Sequence, residues 1–252
     1  MAGFLSSIKE LVLHRKACTL IRACKEEELR ALLSENEAKK LIRKTSGNVL
    51  RRCLQVAIDK QYMGCIEELL KAGANPRILL DSCSVPSIVY GQGNVRLLQL
   101  LLEYGASEDS CKAAGTADGT SVLGMCLKRN YEAPFVELLI QFGANIYLPH
   151  IQKALLEVDN DATRLLDREK AHPRSLKSQC RIAIRRWLIQ VGKLRLIDQI
   201  DIPDQLEKYL QYHNEFDDIK KLPRCYQRFT YPIAEHLLFG AGCNYEQEQK
   251  YL

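Results

Sequence analysis

Short apolar segments with the spacing of amphipathic helices alternate with turn residues through the first two thirds of the chain. One phrase recurs three times, as LLKAGANP (69–76), LLEYGASE (101–108) and LLIQFGANIY (138–147). The glycines of these phrases, Gly73, Gly105 and Gly143, are separated by 32 and 38 residues. In repeat proteins whose unit is two antiparallel helices and a hairpin, the repeat length is about 33 residues. The pattern therefore predicts a helical solenoid in which each phrase ends a second helix and its glycine is left-handed.

A segment with the pattern of a first helix precedes each phrase. These segments are CLQVAI (53–58), SVPSIVYGQGN (84–94) and DGTSVLGMCL (118–127). The stretch TLIRACKEEELRALLSE (19–35) has the same two-helix rhythm without the Gly-Ala ending, as expected of a terminal capping unit. LPHIQKALLEVDNDATRLLDREK (148–170) is interpreted as a partial repeat that follows the last complete phrase.

The repeated phrase resembles the second helix of ankyrin repeats, although a generic array of helical hairpins is the alternative. The Thr-Pro-Leu-His start of that family survives only as Thr120-Ser121-Val122, which leaves the repeat boundaries open by a few residues. The resemblance implies a protein-binding surface made of hairpin tips and inner helices. The candidate contacts with a protein substrate, placed by repeat position, are Arg77, Asp81, Tyr90, Glu108, Asp109 and Lys112.

A different amphipathic helix is predicted in SLKSQCRIAIRRWL (175–188). Leu176, Cys180 and Ile184 are four residues apart and share one face, and Ala183, Trp187 and Leu188 lie beside them. Ser175 is a candidate N-cap, because its hydroxyl can accept a hydrogen bond from an amide of the first turn. A short amphipathic helix is predicted again after Ile202-Pro203, with Leu206, Tyr209 and Leu210 as its apolar positions.

This C-terminal segment resembles a SOCS box. SLKSQCRIAI matches the Ser/Thr-Leu-x-x-x-Cys-x-x-x-apolar pattern of the elongin C-binding box, and IDIPDQLEKYL (200–210) resembles the cullin box that follows it. The resemblance implies that Leu176, Cys180 and Ile184 bind elongin C, and that Ile200, Ile202 and Pro203 bind cullin-5. Asp201 replaces the first proline of the family's Leu-Pro-Leu-Pro, which puts the strength of cullin binding in doubt. The alternative is that the helix of residues 175–188 only packs on the last repeat.

Composition narrows the functional classes. The net charge of +5 is concentrated between Arg164 and Arg195, a segment that contains ten Lys or Arg residues and only two acidic residues. These basic residues are interpreted as the solvated side of a helix and its flanks, and no nucleic acid partner is expected. No apolar run is long enough for a membrane span, and no signal sequence opens the chain, so we expect free thiols in a cytoplasmic or nuclear protein. No catalytic motif, cofactor fingerprint or paired Cys-x-x-Cys is found, which predicts no enzyme activity, cofactor or metal.

The sequence therefore predicts an all-α protein, an ankyrin-repeat solenoid followed by a small helical SOCS box. Its expected parts are an N-terminal helical segment with a degenerate capping repeat (1–48), ankyrin repeats (49–171), a SOCS box (172–211) and a C-terminal extension (212–252). The extension is either a degenerate repeat, since PIAEHLLFGAGCN (232–244) echoes the phrase, or a loosely ordered tail. The resemblance implies a substrate adaptor of a ubiquitin ligase with elongins B and C, cullin-5 and a RING subunit. A repeat scaffold or inhibitor without ligase recruitment is the alternative.

Overall fold

Helical hairpins stacked side by side make up most of the protein. The computed structural model describes residues 2–80, 83–109, 121–128, 133–172 and 174–213. The helices of the first half are α1 (Ala2–Arg22), α2 (Glu26–Ser34), α3 (Asn36–Lys44), a 3₁₀ turn (Asn48–Leu50), α4 (Arg51–Asp59) and α5 (Met63–Ala72). A two-stranded antiparallel hairpin follows, β1 (Leu79–Leu80) and β2 (Cys83–Ser84).

The second half continues the hairpins and ends in a separate group of helices. The remaining elements are α6 (Val85–Gly91), α7 (Val95–Glu103), α8 (Val122–Leu127), α9 (Ala133–Gln141), α10 (Pro149–Glu157), α11 (Asp161–Ala171), α12 (Leu176–Gln190), a 3₁₀ segment (Leu194–Gln199) and α13 (Asp204–Leu210). Apart from the β1–β2 hairpin, the described residues contain no strand, and the all-α prediction is confirmed. Residues 148–170, interpreted as a partial repeat, form the complete helix pair α10–α11.

Equivalent helices of neighbouring hairpins pack against each other. First helices pack on first helices, as α1 does on α4 and α8 on α10, while second helices pack on second helices, as α2 does on α5 and α9 on α11. The apolar side chains between them form one continuous core that runs from α1 to α11. Each hairpin exposes an unpartnered apolar face only when its neighbour is missing, so the stack stabilises all of its units together.

The three glycines end their helices as the sequence predicts. Gly73, Gly105 and Gly143 have φ values of +116°, +91° and +99°. The amide of the following alanine donates 2.9 Å to the carbonyl oxygen five residues earlier in all three repeats, for example from Ala106 to Leu101. This bond belongs to the Schellman motif, which satisfies a carbonyl group that the end of the helix leaves open. Glycine is needed because its φ is positive there.

The C-terminal module, defined here as residues 174–213, lies across these glycine-terminated helix ends. It has a small core of its own, made of Leu188, Leu194, Ile197 and Leu210. Tyr212, one residue beyond the predicted end of the SOCS box, is buried in the repeat core and stacks on Phe142 with ring centroids 4.1 Å apart. The predicted echo at residues 232–244 lies outside the described residues.

Candidate protein-docking site

Helix α12 carries the candidate site, and local sequence fixes where it begins and ends. The Ser175 hydroxyl accepts a hydrogen bond from the Ser178 amide at 3.2 Å, which is the predicted N-cap. Residues 176–190 contain no glycine or proline, so nothing in this stretch interrupts the helix. Gly192, with φ +68°, then ends it, and the Lys193 amide donates 2.8 Å to the Leu188 carbonyl.

An exposed apolar stripe follows one face of α12. Its members are Leu176, Cys180, Ile184, Trp187 and Val191. Leu176 is 76% exposed, Trp187 57% and Ile184 40%. The spacing of four, four, three and four residues keeps all five side chains on one face. The structure thus brings together the three predicted elongin C-binding residues with Trp187 beside them, and it adds Val191 to the same face. Leu188, predicted beside them as well, is buried instead. A surface of adjoining large apolar side chains is typical of a protein-binding site.

The interpretation of the basic residues as a solvated side holds for the exposed Lys177 and Arg186 but is wrong for Arg181 and Arg185, on the opposite face of α12. Arg181 is 2% exposed and Arg185 is 5% exposed. Arg185 Nη2 donates to the carbonyl oxygens of Leu102 at 3.2 Å and Glu103 at 2.7 Å, and its Nη1 donates to Leu210 at 2.8 Å. Burial lowers the pKa of the Arg185 guanidinium below its usual value. The cation lies at the C-terminal end of α7, where the helix dipole favours positive charge.

Aromatic rings surround these buried guanidinium groups. Arg181 lies over the ring of Tyr212, 3.8 Å from its centroid, and over that of Tyr209 at 4.3 Å. The Tyr212 hydroxyl donates to the carbonyl oxygen of Gln141, the last residue of α9, at 2.9 Å. The cation–π contacts hold the Tyr212 ring within the C-terminal module, and the Tyr212 hydroxyl joins the module to the same row of helix ends that Arg185 caps.

Glu108 belongs to this junction and not to a substrate surface. It is buried, and its Oε1 accepts hydrogen bonds from Arg186 Nε at 3.0 Å and Nη2 at 2.8 Å. Arg186 Nη2 also donates to the Gly143 carbonyl at 2.7 Å. The prediction that Glu108 contacts a substrate is corrected, because its carboxylate already pairs with the C-terminal module.

The three left-handed glycines face the C-terminal module directly. A Cβ atom at Gly105 would lie 2.9 Å from Leu194 Cδ2, and one at Gly143 would lie 2.8 Å from Ile182 Cγ2. A Cβ atom at Gly73 would collide with the guanidinium of Arg195. The glycines of three successive phrases therefore leave the space that the C-terminal module fills, in addition to ending their helices.

The predicted cullin-binding residues divide into two groups. Ile200 and Pro203 are exposed, and Pro203 is the N-cap of α13. Ile202 is half-buried and packs against the small core of the module, so part of its side chain has a structural role. Asp201 is exposed between them.

The other predicted substrate contacts are scattered. Tyr90 is buried, with its ring edge-on to Phe135 at 5.3 Å between centroids, and this corrects its assignment to the surface. Arg77 is exposed, although its Nε donates to the Gly105 carbonyl at 2.9 Å. Asp109 is half-buried, its Oδ1 accepts from the Asn145 amide at 2.7 Å, and burial raises the pKa of its carboxyl. Asp81 and Lys112 lie outside the described residues.

One cluster of potential metal ligands was missed by the sequence analysis. His14 and Cys18 lie one turn apart on α1, and Cys53 reaches them from α4. A hydrogen bond from Cys53, together with Arg22 and Arg52, lowers the pKa of Cys18 to about 7, although burial opposes this. Burial, with the same two arginines, lowers the pKa of His14. The spacing of His14 and Cys18 was a local signal for this cluster, whereas the approach of Cys53 depends on the stacking of α1 on α4.

Comparison with known proteins identifies the C-terminal module. The SOCS box family model matches residues 172–211. The resemblance to the ankyrin repeat and SOCS box family is confirmed. Ankyrin repeat and SOCS box protein 12 of Homo sapiens is 40% identical over 141 residues, which are 53% of this chain and 45% of that protein. Ankyrin repeat and SOCS box protein 1 of Mus musculus is 31% identical over 132 residues, which are 47% of this chain and 39% of that protein.

The chain spans about half the length of these relatives or less. In the SOCS box, one face of α12 presents the apolar stripe to solvent. The arginine face of the same helix holds the SOCS box on the ankyrin repeats. Within the part of the chain that the structure describes, no helix is long and apolar enough to cross a membrane.

Proposed function

We propose that the protein is a non-catalytic substrate adaptor of a ubiquitin ligase. In this proposal the SOCS box binds elongin C, and through it elongin B, while the ankyrin repeats hold a target protein. Cullin-5 and its RING subunit then join through the cullin box. The observation that carries the proposal is the exposed stripe of α12, which contains Leu176, Cys180 and Ile184 at the positions that the family's elongin C-binding pattern requires.

The energetics of the stripe favour binding over a free surface. Burying one large apolar side chain stabilises a complex by about 1.5–3 kcal/mol, so Leu176 and Ile184 together with Trp187 supply enough for a specific interface. Leu176 is the most exposed of them, and the thiol of Cys180 leaves room for a partner surface to approach the helix. Arg181 and Arg185 of the opposite face play no part in this contact, because both are buried.

The adaptor acts by proximity. A target held on the repeats has a high effective concentration near a ubiquitin-loaded enzyme on the same complex, and this accelerates transfer without a catalytic residue in the chain. Arg77 and Asp109 remain the candidate target contacts among the described residues. The target itself is an unidentified protein.

A Leu176→Ala substitution tests the elongin contact. In the free chain it removes an exposed side chain and leaves folding nearly unchanged, by within about 0.5 kcal/mol. In the complex it removes a buried one and is expected to cost about 2–5 kcal/mol, a loss of at least tenfold in affinity. Titration calorimetry of the full chain with purified elongin B–elongin C measures the change.

Leu156→Ala is the matched control for this experiment. Leu156 is 90% exposed on α10, outside the stripe, so the same change in side chain should leave elongin affinity within twofold. If Leu176→Ala also stays within twofold of the unmodified chain, α12 is not the elongin C-binding helix. If the unmodified chain fails to bind elongins at all, the repeat scaffold without ligase recruitment becomes the better description.

A further inference from the structure

We propose that His14, Cys18 and Cys53 form a zinc site that fastens the N-terminal helix to the repeats. The three ligand atoms make a nearly equilateral triangle: His14 Nδ1 lies 3.5 Å from Cys18 Sγ and 3.5 Å from Cys53 Sγ, and the two sulfur atoms are 3.5 Å apart. The site lies more than one repeat away from the α12 stripe in sequence and is independent of the adaptor proposal.

The triangle has the size of one face of a zinc tetrahedron. With Zn–S near 2.3 Å and Zn–N near 2.05 Å, tetrahedral geometry places sulfur and nitrogen about 3.6 Å apart and two sulfurs about 3.8 Å apart. Each observed separation is therefore within about 0.3 Å of the value that zinc requires. Two thiolates and one imidazole also favour zinc over magnesium and calcium, because those two cations bind oxygen ligands.

The surroundings supply a path of entry and a fourth position. Cys18 and Cys53 are buried, whereas His14 is half-buried. His14 and Cys18 line a surface pocket whose other polar residues are Thr19, Gln55 and Asp59 together with the cations Arg15, Arg22 and Arg52. A water molecule from this pocket can complete the tetrahedron, as it does in zinc sites with three protein ligands. On binding, zinc displaces the two thiol protons to solvent, and no oxidant or reductant is involved.

A disulfide is the competing use of the same cysteines. It would require the sulfur atoms to close from 3.5 Å to about 2.05 Å, and it would give His14 no role. Zinc uses all three groups at their present separations with only small adjustments. Because α1 belongs to the N-terminal unit and α4 to the next one, the ion would join residues 14 and 18 to residue 53 across the first junction of the stack.

The experiment measures metal binding by the full chain, with any affinity tag removed and a phosphine reductant present. After dialysis against EDTA and then against limiting zinc, mass spectrometry of the metal content should find one zinc ion per chain. Cobalt in place of zinc should give a sulfur-to-cobalt charge-transfer band in the near ultraviolet, which reports thiolate ligands directly. Zinc should also raise the melting temperature, because it binds the folded state.

Substitutions assign the ligands. Cys18→Ser, Cys53→Ser and His14→Gln should each lose the tightly bound zinc and weaken the cobalt band, whereas Cys24→Ser, at an exposed cysteine just beyond α1, should keep both. If a variant does not fold, the zinc content and cobalt band of the unmodified chain still decide the question. The proposal is overturned if the unmodified chain binds less than half an ion or if Cys18→Ser retains its zinc.

Discussion

Arg185 donates to three backbone carbonyl groups, two in the repeats and one within the SOCS box itself. Two of these, from Leu102 and Glu103, belong to the last turn of α7, and the third, from Leu210, ends α13. The Leu102 carbonyl also accepts from the Gly105 amide at 3.0 Å. Leaving a carbonyl at a helix end buried without any partner costs about 1–3 kcal/mol. A single planar guanidinium with five N–H donors can serve carbonyls on both sides of it.

Arg185→Lys is therefore expected to destabilise the protein although the charge is kept. An ammonium group on a flexible stem cannot reach both helix ends at once, so the free energy of unfolding should fall by about 2–4 kcal/mol. Urea denaturation followed by circular dichroism measures it. Arg168→Lys, at an exposed arginine of α11, should change the stability by less than about 0.5 kcal/mol. Equal effects of the two substitutions would mean that the Arg185 hydrogen bonds contribute little.

The burial of Arg181 and Arg185 could not be predicted from the sequence. Amphipathic patterning assigns apolar residues to the inside of a helix and charges to the outside, and that assumption places Leu176 inward and Arg185 outward. The acceptors that reverse it are carbonyls of distant helices, which become available only where those helices end at glycines. Tyr90 and Glu108 were misassigned for a related reason, since repeat position does not reveal which side chain meets a neighbouring module.

At the scale of the element, α12 has one face packed in the protein and one exposed apolar face. The local signals were sufficient to predict its start at Ser175 and its apolar line, because caps and helical periodicity depend on neighbouring residues. The same holds for α13, which begins directly after Pro203. The packing of Ile202 into the small core was not visible in the sequence, where it appeared equivalent to Ile200.

The cullin box yields a prediction that uses its departure from the family pattern. Asp201→Pro restores the missing proline, and Ile200 before it has φ −83° and ψ 131°, the extended conformation that a residue preceding proline adopts. We expect this variant to bind cullin-5 more tightly with unchanged elongin affinity. The pair Ile200→Ala and Pro203→Ala, both at exposed positions, should weaken cullin-5 binding and also leave elongin bound.

Both cullin variants are measured against preassembled complexes of the full chain with elongins B and C. Surface plasmon resonance with immobilised cullin-5 gives the affinities, and Leu156→Ala again serves as the control for a change outside the box. If neither Asp201→Pro nor the paired alanine substitution alters cullin-5 affinity, these residues do not form the cullin contact.

At the scale of the whole molecule, the repeats and the SOCS box behave as one folded unit. The solenoid itself was predictable, because the Leu-Leu-x-x-Gly-Ala phrase specifies a helix end and its recurrence specifies the stack. The contact of Gly73, Gly105 and Gly143 with the SOCS box was not, since a glycine required for its positive φ gives no sign that it also makes room for another module.

Gly143→Ala separates these two roles when it is compared with Gly192→Ala. Both glycines have positive φ, so both variants carry the backbone strain of about 1–2 kcal/mol. Only at Gly143 does the new methyl group meet a neighbour, 2.8 Å from Ile182, whereas nothing lies within 4 Å at Gly192. Gly143→Ala should lower the melting temperature further and weaken hydrogen-exchange protection in α12. Identical behaviour of the two variants would show that the SOCS box does not depend on this contact.

Contacts with three successive repeats restrict the rotation of the SOCS box relative to the solenoid. A target bound nearer the N-terminal end would therefore be displaced from the ligase in increments of one helix-packing distance, about 8–10 Å per repeat. In the proposed adaptor, the choice among the target's lysines then depends on the distance of each lysine from the ligase. The repeat on which a target sits would select which of its lysines is modified, before any preference of the conjugating enzyme for sequence.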